Sequence, residues 1–206
     1  GNTYDFAIYG NQHWTVENAE MVTYRDGTPI PQITDDTEWA DLNTGAWCYY
    51  ENDPTKPRLY NWFAVMGIHD NDENTPNKEF APEGWHVPSD AEWTTLEEHL
   101  IANGYSYDGT TTENKIGKAM ASTTGWLSSI DVGAIGNEQS LNNSSGFNAF
   151  PEGFRTNYFS SEGYYAFFWS SNNAFIFYLD CTYDDLVQIQ DITWNSYGLS
   201  VRFVRD

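Results

Sequence analysis

From Tyr164 onward the chain alternates like strands. Phe175, Phe177 and Leu179 point one way and Ile176, Tyr178 and Asp180 the other, the two-residue period of a pleated backbone. Val187-Gln188-Ile189-Gln190 repeats the pattern, with both glutamines predicted to face outward. Near the end Leu199, Val201 and Phe203 alternate with Ser200 and Arg202, which predicts a last strand paired into a central sheet. Taken literally, the alternation sends Phe175, Phe177, Leu179, Val187 and Ile189 to the core.

Helical periodicity is scarcer. Ser89-Asp90-Ala91-Glu92 has the spacing of a capping box, in which the Ser and Glu side chains each satisfy an amide left unpaired at a helix start. Trp93, Leu96 and Leu100 then fall on one face, and Gly104 is the expected stop. A shorter helix is predicted after Asp35, with Trp39 and Leu42 one turn apart, and another through Lys115 to Ala121 around Ile116 and Met120. Gly, Asn, Asp, Ser and Pro recur between these segments as turn formers. The pattern predicts an irregular α+β fold, β-rich, with few short helices and long ordered loops. Without an internal repeat, a low-complexity tract or a linker, one domain over residues 1–206 is expected.

Composition narrows the function classes. Aromatic residues make up 17% of the chain, ample apolar area for a large core. The formal net charge is −21, from 30 acidic against 9 basic residues. Such a chain is repelled by phosphate backbones and anionic lipid heads, which argues against nucleic acid and against polybasic membrane binding. The acidity reads first as a device for solubility. No apolar run approaches the roughly 20 residues that cross a bilayer. The opening residues show neither the basic nor the apolar region of a secretory signal, and a signal or lipid anchor trimmed from the chain is compatible with that. Cys48 and Cys181 match no metal-ligand spacing, leaving two readings open: one long-range disulfide, or two buried thiols.

Eight segments, in order, carry a resemblance. They include Gly10-Asn11-Gln12-His13-Trp14, Asp26-Gly27-Thr28-Pro29-Ile30-Pro31, Thr37-Glu38-Trp39, Leu59-Tyr60-Asn61-Trp62-Phe63-Ala64-Val65 and Gly84-Trp85-His86-Val87-Pro88-Ser89-Asp90-Ala91-Glu92-Trp93. They continue through Gly153-Phe154-Arg155, Phe168-Trp169-Ser170-Ser171 and Leu199-Ser200-Val201-Arg202-Phe203-Val204-Arg205-Asp206. Together they resemble the Fibrobacter succinogenes major paralogous domain, a family of bacterial surface and lipoprotein modules. The resemblance implies a C-type-lectin-like fold, of the kind also used by formylglycine-generating enzymes. In such a fold a small sheet from the C-terminal part is braced by helices, and long loops present a ligand-facing surface. It also implies an extracellular or cell-surface location, with a lipid anchor in some members.

Catalysis is not expected. Formylglycine-generating enzymes use a close pair of cysteines in the C-terminal part to bind copper, whereas Cys181 stands alone there. No Gly-x-Ser-x-Gly or His-Glu-x-x-His motif occurs, and His13, His69, His86 and His99 have no recognisable partners in sequence. No cofactor is therefore expected, with calcium the one exception to consider. Asp70, Asp72 and Asn74 offer alternating oxygen ligands, but the glycine and terminal Glu of an EF-hand loop are missing, and a solvated acidic loop is the simpler reading.

In related binding proteins the C-terminal strands and loops carry the ligand-facing side chains. Here that face is expected to comprise Ile176, Tyr178, Asp180, Gln188 and Gln190 from strands, with Tyr183, Asp184, Trp194, Asn195 and Tyr197 from loops. Tyrosine and tryptophan give rigid contact area, and amides adapt their hydrogen bonds. Some members of the wider fold are varied by diversity-generating retroelements that mutate adenines. Gln188, Gln190 and Trp194 cannot arise from AAC or AAT codons that way, which argues against diversification at those positions. The expected function is a ligand-binding or adhesion domain on a bacterial or phage surface, recognising a protein or glycan. The alternatives are a structural module of a surface lipoprotein or fimbria-like assembly and, more remotely, an enzyme with an unfamiliar site.

Overall fold

A computed structural model describes residues 3–172, 175–190 and 192–205. The chain opens with a hairpin of β1 (Phe6–Tyr9) and β2 (Gln12–Thr15), followed by α1 (Asp36–Ala40) and a second hairpin of β3 (Trp47–Tyr49) and β4 (Arg58–Tyr60). Three helices come next: α2 (Trp62–Val65), α3 (Asp90–Ala102) and α4 (Gly117–Met120). The strands β5 (Glu152–Arg155), β6 (Phe159–Glu162), β7 (Tyr165–Trp169), β8 (Phe175–Asp180) and β9 (Val187–Gln190) complete the main sheet, and β10 (Val204–Arg205) ends the fold.

The predicted helices form for the anticipated reasons. Ser89 Oγ accepts from the Glu92 amide at 3.2 Å while Glu92 Oε2 accepts from the Ser89 amide at 2.7 Å, completing the capping box of α3. Its buried face is Trp93, Leu96 and Leu100, and Gly104, at φ +76°, takes the chain out of the helix. Asp35 caps α1, its carboxylate accepting from the amides of Thr37 and Glu38, and Trp39 is the buried anchor. The four residues of α4 lie inside the predicted 115–121 segment and are all buried.

The main sheet runs β6-β5-β7-β8-β9, with β5 parallel to β7 and the remaining neighbours antiparallel. Gly153, in β5, sits at φ +65°, and a Cβ there would lie 2.3 Å from the Ser160 carbonyl oxygen across the β5–β6 pair, so only glycine fits. One side of the sheet packs on α3. Trp93 stacks on Phe177 at 4.9 Å and meets Trp14 edge-on at 4.7 Å, in a cluster with Phe147, Phe168 and Leu179. The other side belongs to a second core with Trp62, Trp169, Ile176, Leu199, Val201 and Phe203.

Both sides of β8 are therefore covered, which corrects two expectations: Ile176 and Asp180, predicted to face outward, are buried. The last segment also differs. Gly198, Leu199 and Ser200 make single bridges to Arg155, Tyr60 and Phe168, and β10 then pairs with β2 instead of extending the main sheet. Ser200 and Arg202, the polar half of the alternation, are as buried as their apolar neighbours.

Two motif arginines hold loops together from within. Arg155 donates to the carbonyls of Ile33, Thr34 and Asp35 and to the Asp36 carboxylate, with its guanidinium 4.4 Å from the Trp39 ring. Arg202 donates to Asn18 Oδ1 and to the carbonyls of Thr15, Phe147 and Asn148. Burial pulls the Arg202 guanidinium down to about 10. Cys48 and Cys181 are buried free thiols in different clusters, the second of the two readings left open.

Candidate functional site

The sheet's register decides which side chains share a face. Opposed residues of an antiparallel pair project to the same side, and β7, β8 and β9 align Phe167 with Tyr178 and Tyr178 with Val187. Trp169, Ile176 and Ile189 form the next row of the same face. At the other end Tyr165 stands opposite Asp180. Trp169 and Ile176 vanish into the core, whereas Tyr165, Tyr178, Val187 and Ile189 remain half-buried. Their side of the sheet is an aromatic platform.

Two elements extend it. Phe154, in β5, meets Phe167 edge-on at 5.6 Å. After β9 a short 3-10 turn, Ile192–Trp194, brings in Trp194 and Tyr197, whose rings stack at 4.5 Å. Tyr197 lies parallel to Phe154 at 5.9 Å, and Trp194 meets Phe167 at 5.7 Å. The ladder continues through Phe167–Tyr178 at 5.2 Å and Tyr178–Tyr165 at 5.9 Å. The turn is pinned from beneath, because the Trp62 amide donates to the Asn195 carbonyl and Trp39 Nε1 donates to that of Ser196. Each ring is thereby locked by its neighbours, so little rotamer freedom remains to be lost on binding.

The platform's electrostatics come from one end. Asp180 is held by the Thr182 amide at 2.7 Å and the Thr182 hydroxyl at 2.8 Å. Burial pushes the phenols of Tyr165 and Tyr178 up from their ordinary value, and the Asp180 charge adds to both shifts. Both rings therefore present neutral O–H groups at physiological pH, able to donate and accept.

The ten residues expected to form the site are not all together. Tyr178, Trp194 and Tyr197 lie on the platform, and Tyr183 is exposed on the β8–β9 loop. Ile176 and Asp180 share the face but are buried. Asp184 and Asn195 are half-buried, and their backbone carbonyls anchor Gly117 and Trp62. Gln188 and Gln190 are exposed, yet they pair with Phe177 and Phe175 and so project from the opposite side of the sheet. Conversely, Val187 and Ile189, assigned to the same core as Phe177, belong to the platform side. Phe154, Tyr165 and Phe167 were missed. The run Tyr164-Tyr165-Ala166-Phe167-Phe168-Trp169 carried the signal, since its alternation separates Tyr165, Phe167 and Trp169 from Ala166 and Phe168.

The acidic loop has its own uses for its oxygens. Asp70 Oδ1 accepts from the Asp72 amide and Asp72 Oδ1 from the amide and side chain of Asn74, which are turn-forming bonds. Among the described residues no group of three or more His, Cys, Asp or Glu is placed to hold a metal ion.

Comparison with curated proteins and with solved structures gives no significant match. The profile of the Fibrobacter succinogenes major domain matches residues 8–205. That span takes in the buried arginines, the capping box and the strands of the platform, and the chain belongs to the Fibrobacter succinogenes major domain family.

Proposed function

We propose that this domain is a non-catalytic ligand-binding module with a C-type-lectin-like fold, displayed on a bacterial or phage surface, which recognises a protein or glycan through the aromatic platform. The observation that carries the reading is the platform itself: a ladder of packed aromatic rings, most of them half-buried, on one side of a sheet whose other side packs on α3 around Phe168, Phe177 and Leu179. Rigid aromatic area with phenolic and indole edges is what recognition surfaces are enriched in. The lectin-like assignment draws support from a five-stranded sheet built wholly from residues 152–190 and braced by a helix.

The non-catalytic reading draws on the thiols. Cys48 and Cys181 lie in separate clusters, and burial raises both above the ordinary thiol value, Cys48 to about 11. The copper-binding cysteine pair of the formylglycine-generating enzymes thus has no counterpart in these two residues, and neither is an activated nucleophile. An alternative is a structural module whose platform docks on an adjoining domain, which the face-to-face packing of Phe154, Tyr197 and Trp194 would also suit. Probing glycan and surface-protein arrays separates the two. Binding by the wild type that is lost when Tyr178, Trp194 and Tyr197 are all changed to Ala supports the recognition module. Absence of any binding favours the structural one.

A further inference from the structure

A cleft of about 350 Å³, lined by none of the platform aromatics, opens between the residue 16–20 segment, the turn before β4 and the start of β5. Its volume falls at the lower end of the range of small-molecule sites, about 300–1,000 Å³. The lining is unusual for so acidic a chain: Glu17, Glu20 and Glu152 are balanced by Lys56, Arg58 and Arg202. Local charge therefore selects neither a cation nor an anion, although the whole molecule carries −21.

Glu152 and Arg202 form the floor. Glu152 Oε2 accepts from Asn18 Nδ2 and from Ser200 Oγ, and Asn18 Oδ1 accepts from Arg202 Nε at 2.6 Å, so the three side chains are fixed relative to one another. Glu152 Oε1 accepts no hydrogen bond among the described residues and is left as an acceptor. Donors are left over as well. Asn148 uses its side-chain oxygen to accept from Asn143, and its side-chain amide N–H groups donate to no partner among the described residues. Phe150 is 41% exposed, an aromatic ring in a lining that also includes Val16, Ala19 and Pro57.

Spare acceptors, spare donors, balanced charge and one exposed ring together describe a neutral, polyhydroxylated partner. A hydroxyl group both donates and accepts, and the C–H face of a pyranose covers an aromatic ring. We infer that this cleft is a second, independent binding site that takes a neutral monosaccharide unit, with Glu152 and Asn148 receiving hydroxyls and Phe150 carrying the sugar's apolar face.

The test is a titration of the isotopically labelled protein with neutral methyl pyranosides, read as backbone amide shifts, with n-butylammonium and acetate as charged controls. Saturable shifts at Asn18, Asn148, Phe150 and Glu152, absent at Tyr178 and Trp194, are expected with at least one pyranoside. Phe150→Ala should weaken that binding about tenfold while the protein remains folded, as read from its amide spectrum. Glu152→Gln, which keeps the shape and one acceptor, should weaken it to a lesser degree. The inference is overturned if no pyranoside shifts these amides, if the shifts fall on the platform instead, or if a charged control shifts the cleft equally well. The platform reading is untouched by any of these results except the second, which would strengthen it.

Discussion

Arg202 lies within the last five residues of the sequence and yet reaches the middle of the fold. Its guanidinium satisfies three carbonyls and an amide oxygen and lies over the rings of Phe147 and Phe168. Removing one partner from a buried charged network leaves the others desolvated and unpaired, a loss of about 3–5 kcal/mol. Arg202→Met is therefore expected to destabilise by about that amount in urea denaturation, and an effect under about 1 kcal/mol would mean that the loops hold without it. Sequence alternation placed this arginine beside Leu199, Val201 and Phe203 but could not show its burial, because parity says which side chains share a side and not what covers that side. Trp93 and the Ser89–Glu92 pair were legible for the opposite reason: their determinants are neighbours in the chain.

The elements show the same division between local and distant causes. The start of α3 is fixed by a short local motif, and Ser89→Ala should cost about 1 kcal/mol, a fall in melting temperature of about 2–4 °C for a chain of this size. The sheet was legible as strands but not as faces. β8 and β9 each alternate as read, yet their register opposes Tyr178 to Val187 and Phe177 to Gln188, so that the expected single face divides between two sides. A register is set by the turn and by what covers the sheet, and neither is written in a strand's own alternation. Between α3 and the β8–β9 loop, Glu97 and Asp185 are each raised, first by burial and then by neighbouring carboxylates. A carboxyl whose folded value is raised favours the fold below its unfolded value, and that contribution is lost as pH rises through the folded value. Stability should therefore increase on acidifying from neutral toward the ordinary carboxylate range, and Asp185→Asn should flatten that slope in thermal melts. An unchanged slope would assign the pH dependence to other groups.

At the scale of the molecule, two cores sandwich one sheet, and the second leaves part of its side open at Tyr165, Tyr178, Val187 and Ile189. Trp194 and Tyr197 border that opening, and their turn is pinned by Trp39 and Trp62, so the platform is a property of packing between distant segments. That is why the sequence pointed to three of its residues and missed Phe154, Tyr165 and Phe167. The most direct measurement compares two variants for binding to whatever ligand the wild type captures on the arrays. One changes Tyr178, Trp194 and Tyr197 to Ala; the other changes Gln188 and Gln190 to Ala on the opposite side of the same sheet. If the platform is the recognition surface, the first variant loses binding by at least about a hundredfold, roughly 2.7 kcal/mol, while remaining folded, and the second binds as the wild type does. Loss of binding in the glutamine variant with the aromatic variant intact would contradict the account and move the site to the other side of the sheet.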